Sequence, residues 1–221
     1  MVKTLAIFDL DSTLYEGDCE LTWCELLYKH GIVNTAFMIK LKVYCVEYEI
    51  GGINYEEYER YILSPVAQKS PAQVQQLMGE YLQEIRKGIR PAMQAVVDDH
   101  RAKGHNVLLA TASNSFVAAP IAALLGIQNV VCTYCELVEG VPTGNLLGKT
   151  AFREGKVGGV KAWVEEHNAS LADSWGYSDS HNDIPILTLV EHPVAVTPDA
   201  KLRRLAQQNG WLILDANAQA L

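Results

Sequence analysis

The first apolar run of the chain, Leu5 to Phe8, ends on two aspartates, Asp9 and Asp11, followed by Ser12 and Thr13. A short continuous apolar run reads as a strand buried on both faces of a parallel sheet. Residues just past such a strand stand at its C-terminal edge, where open α/β sheets take their ligands. Two carboxylates crowded there repel each other, and a cation beside them relieves the repulsion. The same stretch alone also reads as an Asp N-cap with a Ser/Thr turn. Other strand ends carry similar groups. The run V-L-L-A-T, 107–111, ends in Thr111-Ala112-Ser113, and a later strand ends in G-Y-S-D-S-H-N-D with Asp179 and Asp183. Lys156 opens the helix that leads into that later strand.

If these strands share one doubly wound sheet, their C-terminal ends share one crevice. Two carboxylate pairs, a hydroxyl and a lysine then converge, and that set suits phosphoryl transfer. A carboxylate attacks phosphorus only if a metal ion and a lysine offset its repulsion from the phosphate dianion. A second carboxylate protonates the leaving alkoxide and then deprotonates water. Three acids near a hard cation match the preferences of Mg²⁺, with water and a backbone carbonyl completing the octahedron. Singly, each residue has a plainer reading: Thr111 as a strand-end cap, Lys156 as a solvated first-turn lysine, Asp183 as a helix cap. Their ordered recurrence at strand ends favours the joint reading. His181 reads as a loop residue and takes no role.

The elements that position these residues follow from periodicity. After the first strand, some seventy residues are helical: a helix with Leu21, Cys24, Leu27 and Tyr28 on one face up to Gly31, a second from Ala36 to Ile50 closed by Gly51 and Gly52, and a shorter one around Tyr55 to Tyr61. Ser70, Pro71 and Gln73 then supply a capping box for a helix running to Gly88. From Pro91 strand and helix alternate: a helix to Lys103, the strand 107–111, a helix to Leu125 and the strand N-V-V-C-T. Glu136 to Gly155 reads as a hairpin or flap, and P-V-A-V-T and W-L-I-L-D supply the last strands. The expected architecture is α/β, a Rossmann-like doubly wound parallel sheet (1–16 plus 89–221) with an inserted helical cap (17–88).

Composition excludes several classes. Of 221 residues nearly half are apolar, which allows a sizeable core, and the net charge of −8 disfavours nucleic-acid binding through a basic surface. No membrane span is expected, because charges interrupt every apolar stretch, and Asp9 and Asp11 break any signal-peptide pattern. Five cysteines without framework spacing fit reduced thiols, so the cytoplasm is the expected compartment. Cys132 and Cys135 form a C-x-x-C that belongs to a buried strand and its exit rather than to a zinc site. G-N-L-L-G-K-T, 144–150, is one residue short of a P-loop and follows no clear strand, which excludes nucleotide triphosphate binding there.

D-L-D-S-T-L, the strand-terminal T-A-S, G-K-V and G-Y-S-D-S-H-N-D together resemble the four motifs of the haloacid dehalogenase superfamily, and within it the phosphoserine-phosphatase-like subfamily. The resemblance implies Asp9 as nucleophile and Asp11 as acid/base, with Thr111 and Lys156 holding and neutralising phosphate. It implies Mg²⁺ on Asp9, the Asp11 carbonyl and Asp179, with Asp183 binding the metal or standing behind it, and Asn182 near phosphate. It also selects phosphatase over dehalogenase, since dehalogenases lack the second aspartate of the first motif. The chain departs from the pattern at Asp18, where phosphoserine phosphatases carry a glutamate that contacts the substrate's amino-acid head. Asp18 either reads the substrate or caps the helix beginning near Cys19. Ala112 and Ser113 replace small glycines beside the substrate.

The function implied is an Mg²⁺-dependent phosphomonoester hydrolase, acting through an aspartyl-phosphate on a small metabolite of the phosphoserine or histidinol phosphate kind. The alternatives are a phosphotransferase or phosphomutase on the same core and a receiver-like signalling module. A receiver needs neither the acid/base Asp11 nor a helical insertion.

Overall fold

The computed structural model describes residues 3–50 and 52–217. Its centre is strand β1 (Leu5–Phe8), every residue of which is buried. Side chains alternate across it, Ala6 and Phe8 entering the larger core and Leu5 and Ile7 a second core on the opposite face. That two-sided burial is what the unbroken apolar run implies. β1 pairs in parallel with β2 (Asn106–Asn114) on one side and β6 (Trp175–Ser178) on the other. β3 (Asn129–Thr133) lies outside β2, and β7 (His192–Val196) and β8 (Leu212–Leu214) lie outside β6, giving the order β3-β2-β1-β6-β7-β8. The chain winds outward from β1 through β2 to β3, then crosses back to β6. The switch point is therefore between β1 and β6, at the ends that carry Asp9 and Asp179. The expected α/β doubly wound sheet is the one observed.

Four helices intervene between β1 and β2 before the sheet resumes: α1 (Cys19–Lys29), α2 (Thr35–Ile50), α3 (Tyr55–Leu63) and α4 (Pro71–Gly88), followed by α5 (Pro91–Ala102) on the sheet. The Ser70–Gln73 capping box opens α4 as its sequence requires. Gly52 follows α2; Gly51 lies outside the described residues. The chain leaves and re-enters the sheet layer through one narrow gate, where the Glu16 amide donates to the Gly88 carbonyl at 2.7 Å and the Arg90 amide to the Leu14 carbonyl at 2.9 Å. Gly88 is needed there, since a Cβ would stand 2.5 Å from the Tyr15 ring. The helices share the main core with the sheet: Trp23 of α1 meets Tyr81 of α4 at 5.4 Å and Phe116 of α6 (Ser115–Leu124) at 5.1 Å between ring centroids.

The stretch read as a hairpin is one, β4 (Cys135–Val138) antiparallel to β5 (Val141–Leu146), with α3 packed against β5. The near-P-loop run begins inside β5. Cys132 lies buried in β3 and Cys135 at the start of β4, a strand and its exit as read. After α7 (Glu154–Glu166) and β6 come the single turn α8 (Ile184–Leu187) and α9 (Ala200–Asn209). No helix among the described residues is long and apolar enough to cross a membrane.

β2 runs three residues beyond the expected end, through Asn114, with its pairing to β3 shifting between Ala110 and Asn114. This carries Thr111 and Ser113 along one edge of the crevice.

Beneath the sheet, His100 of α5 is buried and contacts the Tyr177 hydroxyl through Nε2 at 2.8 Å and His105 through Nδ1 at 2.8 Å. Burial, then the His105 charge, lowers its pKa to about 4. The folded state therefore binds this proton less readily than the unfolded chain. Its stabilising contribution is complete above the ordinary histidine range near 6.5 and is lost as pH falls toward 4. The gap in melting temperature between the wild type and His100→Gln is expected to be widest at pH 7 and to narrow by pH 4.5, measured by thermal melts across that range. A gap independent of pH would rule this titration out.

Candidate active site

Asp9 follows β1 directly, its amide donating to the Tyr177 carbonyl of β6 at 2.9 Å, so the nucleophile candidate is fixed by the sheet ladder itself. Lys156, in the first turn of α7 and buried, donates from Nζ to Asp9 Oδ1 at 2.9 Å and to Asp183 at 2.7 and 2.8 Å. It is thus no solvated lysine. Asp183 does not cap α8 with its side chain; it also accepts from the Ser178 hydroxyl at 2.8 Å. Thr13, fully buried, stands between Asp9 Oδ2 at 3.3 Å and Asp179 Oδ1 at 3.2 Å, and its oxygen accepts the Asp179 amide at 3.1 Å. One threonine thus ties the β1 loop to the β6 loop.

Asp11 turns toward β2 and α1. It accepts the Cys19 amide at 2.7 Å and the Ser113 hydroxyl at 2.8 Å. Ser113, whose amide donates to Thr111 Oγ1 at 3.1 Å, therefore has a specific task where a glycine would have none. Asn182 accepts from Arg153 Nε at 3.0 Å, and its buried amide side chain also bonds the Tyr48 hydroxyl. Arg153 has φ 49° and ψ −113° at the start of α7, a strained backbone that sets its guanidinium over the Phe152 ring at 4.8 Å. His181 bonds Asp199 at 2.8 Å through Nδ1 and pins the loop.

The electrostatics follow from crowding. Burial pushes Asp9 up to about 6 against the pull of Lys156, and burial with repulsion from Asp18 and Asp9 pushes Asp11 up to about 7. Burial, Asp9 and Asp183 push Asp179 up to about 8. Burial alone would lower the lysine, but Asp183 and Asp9 outweigh it and raise its pKa above the ordinary range. Four carboxylates against one lysine leave a surplus of negative charge in a buried place, and hard oxygen donors with that surplus suit Mg²⁺. Among the described residues no group of three acidic, histidine or cysteine side chains is placed to hold a metal ion by itself, so a cation bound here would need backbone carbonyl and water as well.

These residues line one cavity of about 290 Å³. Asp9, Asp11, Thr111, Ala112, Lys156, Asp179, Asn182 and Asp183 all border it, and helices α1–α3 wall it with Glu20, Tyr44, Tyr48, Tyr55 and Tyr58. Sequence reasoning missed Thr13 as a tie, Arg153, and the whole tyrosine wall. Thr13 lay inside a quoted motif, but nothing in the sequence marked the wall, because tyrosines at helical spacing read as core.

The family model for haloacid dehalogenase-like hydrolases matches residues 6–188. The chain belongs to that family. A histidinol-phosphatase of Neisseria meningitidis serogroup C (strain 8013) is 34% identical over 221 residues, covering 97% of this chain and 99% of that one. A Mycobacterium tuberculosis protein named phosphoserine phosphatase SerB1 is 32% identical over 215 residues, covering 95% of this chain and 70% of that one. A solved structure of a protein of unknown function from Bordetella pertussis Tohama I has a TM-score of 0.88 at 34% identity, covering 98% of this chain and 100% of that one. The fold and the enzyme class expected from the four motifs are thus those of a hydrolase family.

Asp18 is the N-cap of α1, its Oδ1 accepting the Leu21 amide at 2.8 Å, and it also borders the cavity. Asp18→Ala should lower stability by about 1 kcal/mol, whereas Asp18→Asn, itself a good cap, should cost only a few tenths. Denaturant titration of both variants checks this; equal losses would show that the cap bond does not carry the effect.

Proposed function

We propose that this hydrolase is an Mg²⁺-dependent phosphomonoesterase that works through an aspartyl-phosphate on Asp9 and acts on a small phosphorylated metabolite. The observation that carries this reading is Lys156 held on Asp9, with Asp11 beside it but bonded to a different element. The two carboxylates thereby have different surroundings and suit different tasks. In the first step an Asp9 oxygen attacks phosphorus, the bond from phosphorus to the ester oxygen breaks, and Asp11 gives its proton to the departing alkoxide. In the second, Asp11 takes a proton from water, the water oxygen bonds to phosphorus, and the Asp9 acyl-phosphate bond breaks to release inorganic phosphate. A pKa near 7 lets Asp11 exist in both forms around neutral pH.

Lys156 neutralises Asp9 and the incoming phosphate, and the Thr111 hydroxyl and the Asn182 amide, which border the same cavity, are donors for phosphate oxygens. Asp9, Asp179 and the Asp11 carbonyl would hold Mg²⁺, with Asp183 behind through Lys156. Bound there, the metal supplies positive charge to the equatorial phosphate oxygens. Residues 17–88 serve as a cap that encloses the leaving group, and 1–16 with 89–221 as the catalytic core; the paired gate at Glu16–Gly88 supports that division. The names of the relatives, histidinol-phosphatase and phosphoserine phosphatase, support a small metabolite as substrate. Buried thiols at Cys19, Cys24, Cys132 and Cys135 are consistent with a reducing cytoplasm.

Asp9→Asn keeps the size and removes the attacking charge, so phosphate release from p-nitrophenyl phosphate should fall to background. Near-wild-type turnover by the folded variant would overturn the covalent mechanism. Asp11→Asn should slow alkyl phosphates far more than p-nitrophenyl phosphate in the first step, because a good leaving group needs no proton. Single-turnover measurements separate the steps, and equal losses for both esters would remove Asp11 from that role. Activity should vanish in EDTA and return with Mg²⁺, while Ca²⁺, with its larger and looser shell, should inhibit. Full activity after exhaustive chelation would exclude the metal.

A further inference from the structure

The end of the cavity away from Lys156 has a chemistry of its own. Glu20, in the first turn of α1, is 2% exposed and borders the cavity. Its Oε1 accepts both the Asn114 amide at 2.8 Å and the Asn114 side-chain nitrogen at 2.6 Å. The same nitrogen donates to Glu59 Oε2 at 3.0 Å. Glu59 is fully buried, and its Oε1 has no hydrogen-bond partner among the described residues. The Tyr58 hydroxyl also bonds Glu20 and the two carboxyl groups bond each other, so two buried acids are served by neutral partners and by one another. The basic side chains that border the cavity, Arg153 and Lys156, are bound at the other end, to Asn182 and to Asp9 with Asp183. Beside Glu20 stand the rings of Tyr55 and Tyr58, 5.4 Å apart, with Phe152 stacked on Tyr55 at 4.8 Å. A pair of buried acids with no basic partner among the described residues, bordered by aromatic faces, is a receptor for an organic cation.

We propose that Glu20, backed by Glu59, is the specificity-determining residue of this site and reads a positive charge on the leaving group. The substrate class is then the phosphate monoester of a cationic amino alcohol that carries no carboxylate, a planar ring on it being favoured by the tyrosine wall. A leaving group with its own carboxylate, as in phosphoserine, meets a wall of carboxyl groups with no basic partner and is disfavoured. The inference rests on the phosphatase reading and moves head-group recognition from Asp18, whose oxygen is used by the Leu21 amide, to Glu20.

The test compares kcat/KM for histidinol phosphate, O-phosphoserine, glycerol phosphate and p-nitrophenyl phosphate, in the wild type and in Glu20→Gln, which keeps the acceptor for Asn114. The wild type should favour histidinol phosphate over the other two metabolite esters by about tenfold or more, the worth of one charge-assisted hydrogen bond. Glu20→Gln should erase that preference mainly through KM. A purely structural role for Glu20 would depress all esters together and leave the ratios unmoved, which would overturn the proposal. Independently of any variant, histidinol should inhibit wild-type hydrolysis of p-nitrophenyl phosphate competitively, and serine much more weakly; the reverse order would also overturn it. If no ester released phosphate, including p-nitrophenyl phosphate, the phosphatase reading would fall and this one with it. Release from p-nitrophenyl phosphate without the cationic preference would overturn this one alone.

Discussion

The structure depends on keeping like charges together. Asp9, Asp11, Asp179 and Asp183 converge because parallel strands β1 and β6 end side by side, and their mutual repulsion opposes that arrangement. Lys156 is the principal counterweight, bridging Asp9 and Asp183 from within the first turn of α7. Desolvating a lysine and two carboxylates is costly unless the geometry is good and further bonds complete it. Ser178 on Asp183 and Thr13 on Asp9 and Asp179 supply those further bonds. The surplus negative charge that remains is stored at the one place where a cation and a phosphate would use it.

Much of this was legible in the residues. β1 reads as doubly buried because four apolar residues follow one another without alternation, and its two faces do enter different cores. The capping box of α4 and the hairpin after β3 follow from local chemistry, which fixes turns and caps irrespective of the rest of the fold. The strand-end aspartates and Lys156 were found because a sheet brings all its C-terminal ends to one edge. Residues whose role depends on three-dimensional approach were not legible. Asp183 and Lys156 each had an ordinary local reading that the structure replaces with a mutual ion pair. Glu20 looks like a first-turn acid placed for the helix dipole, and only the convergence of Asn114 and Glu59 on it gives it another character.

The length of β2 shows the same division. Its apolar run accounts for 107–111, yet pairing persists through Asn114 with a shift of register against β3. The extension depends on what surrounds it: Asn114 is held by Glu20, and Ser113 by Asp11, so the polar end of the strand is ordered by partners far away in the chain. Strand termini in open sheets are where local preference is weakest and the site's own bonds decide the backbone.

The gate at Leu14–Glu16 and Gly88–Arg90 places the two points where the chain crosses between layers within a hydrogen bond of each other. In topological terms, the helices between them form a closed excursion: joining Glu16 to Gly88 directly would leave the sheet's connectivity intact without stretching the backbone. Packing argues the other way, because Trp23 seats on Phe116 and the excision would bare that ring and its neighbours in the main core. The insertion is therefore exchangeable in connectivity but not in surface. Any replacement segment, whatever leaving group it came to enclose, must bring its own apolar plug for α6.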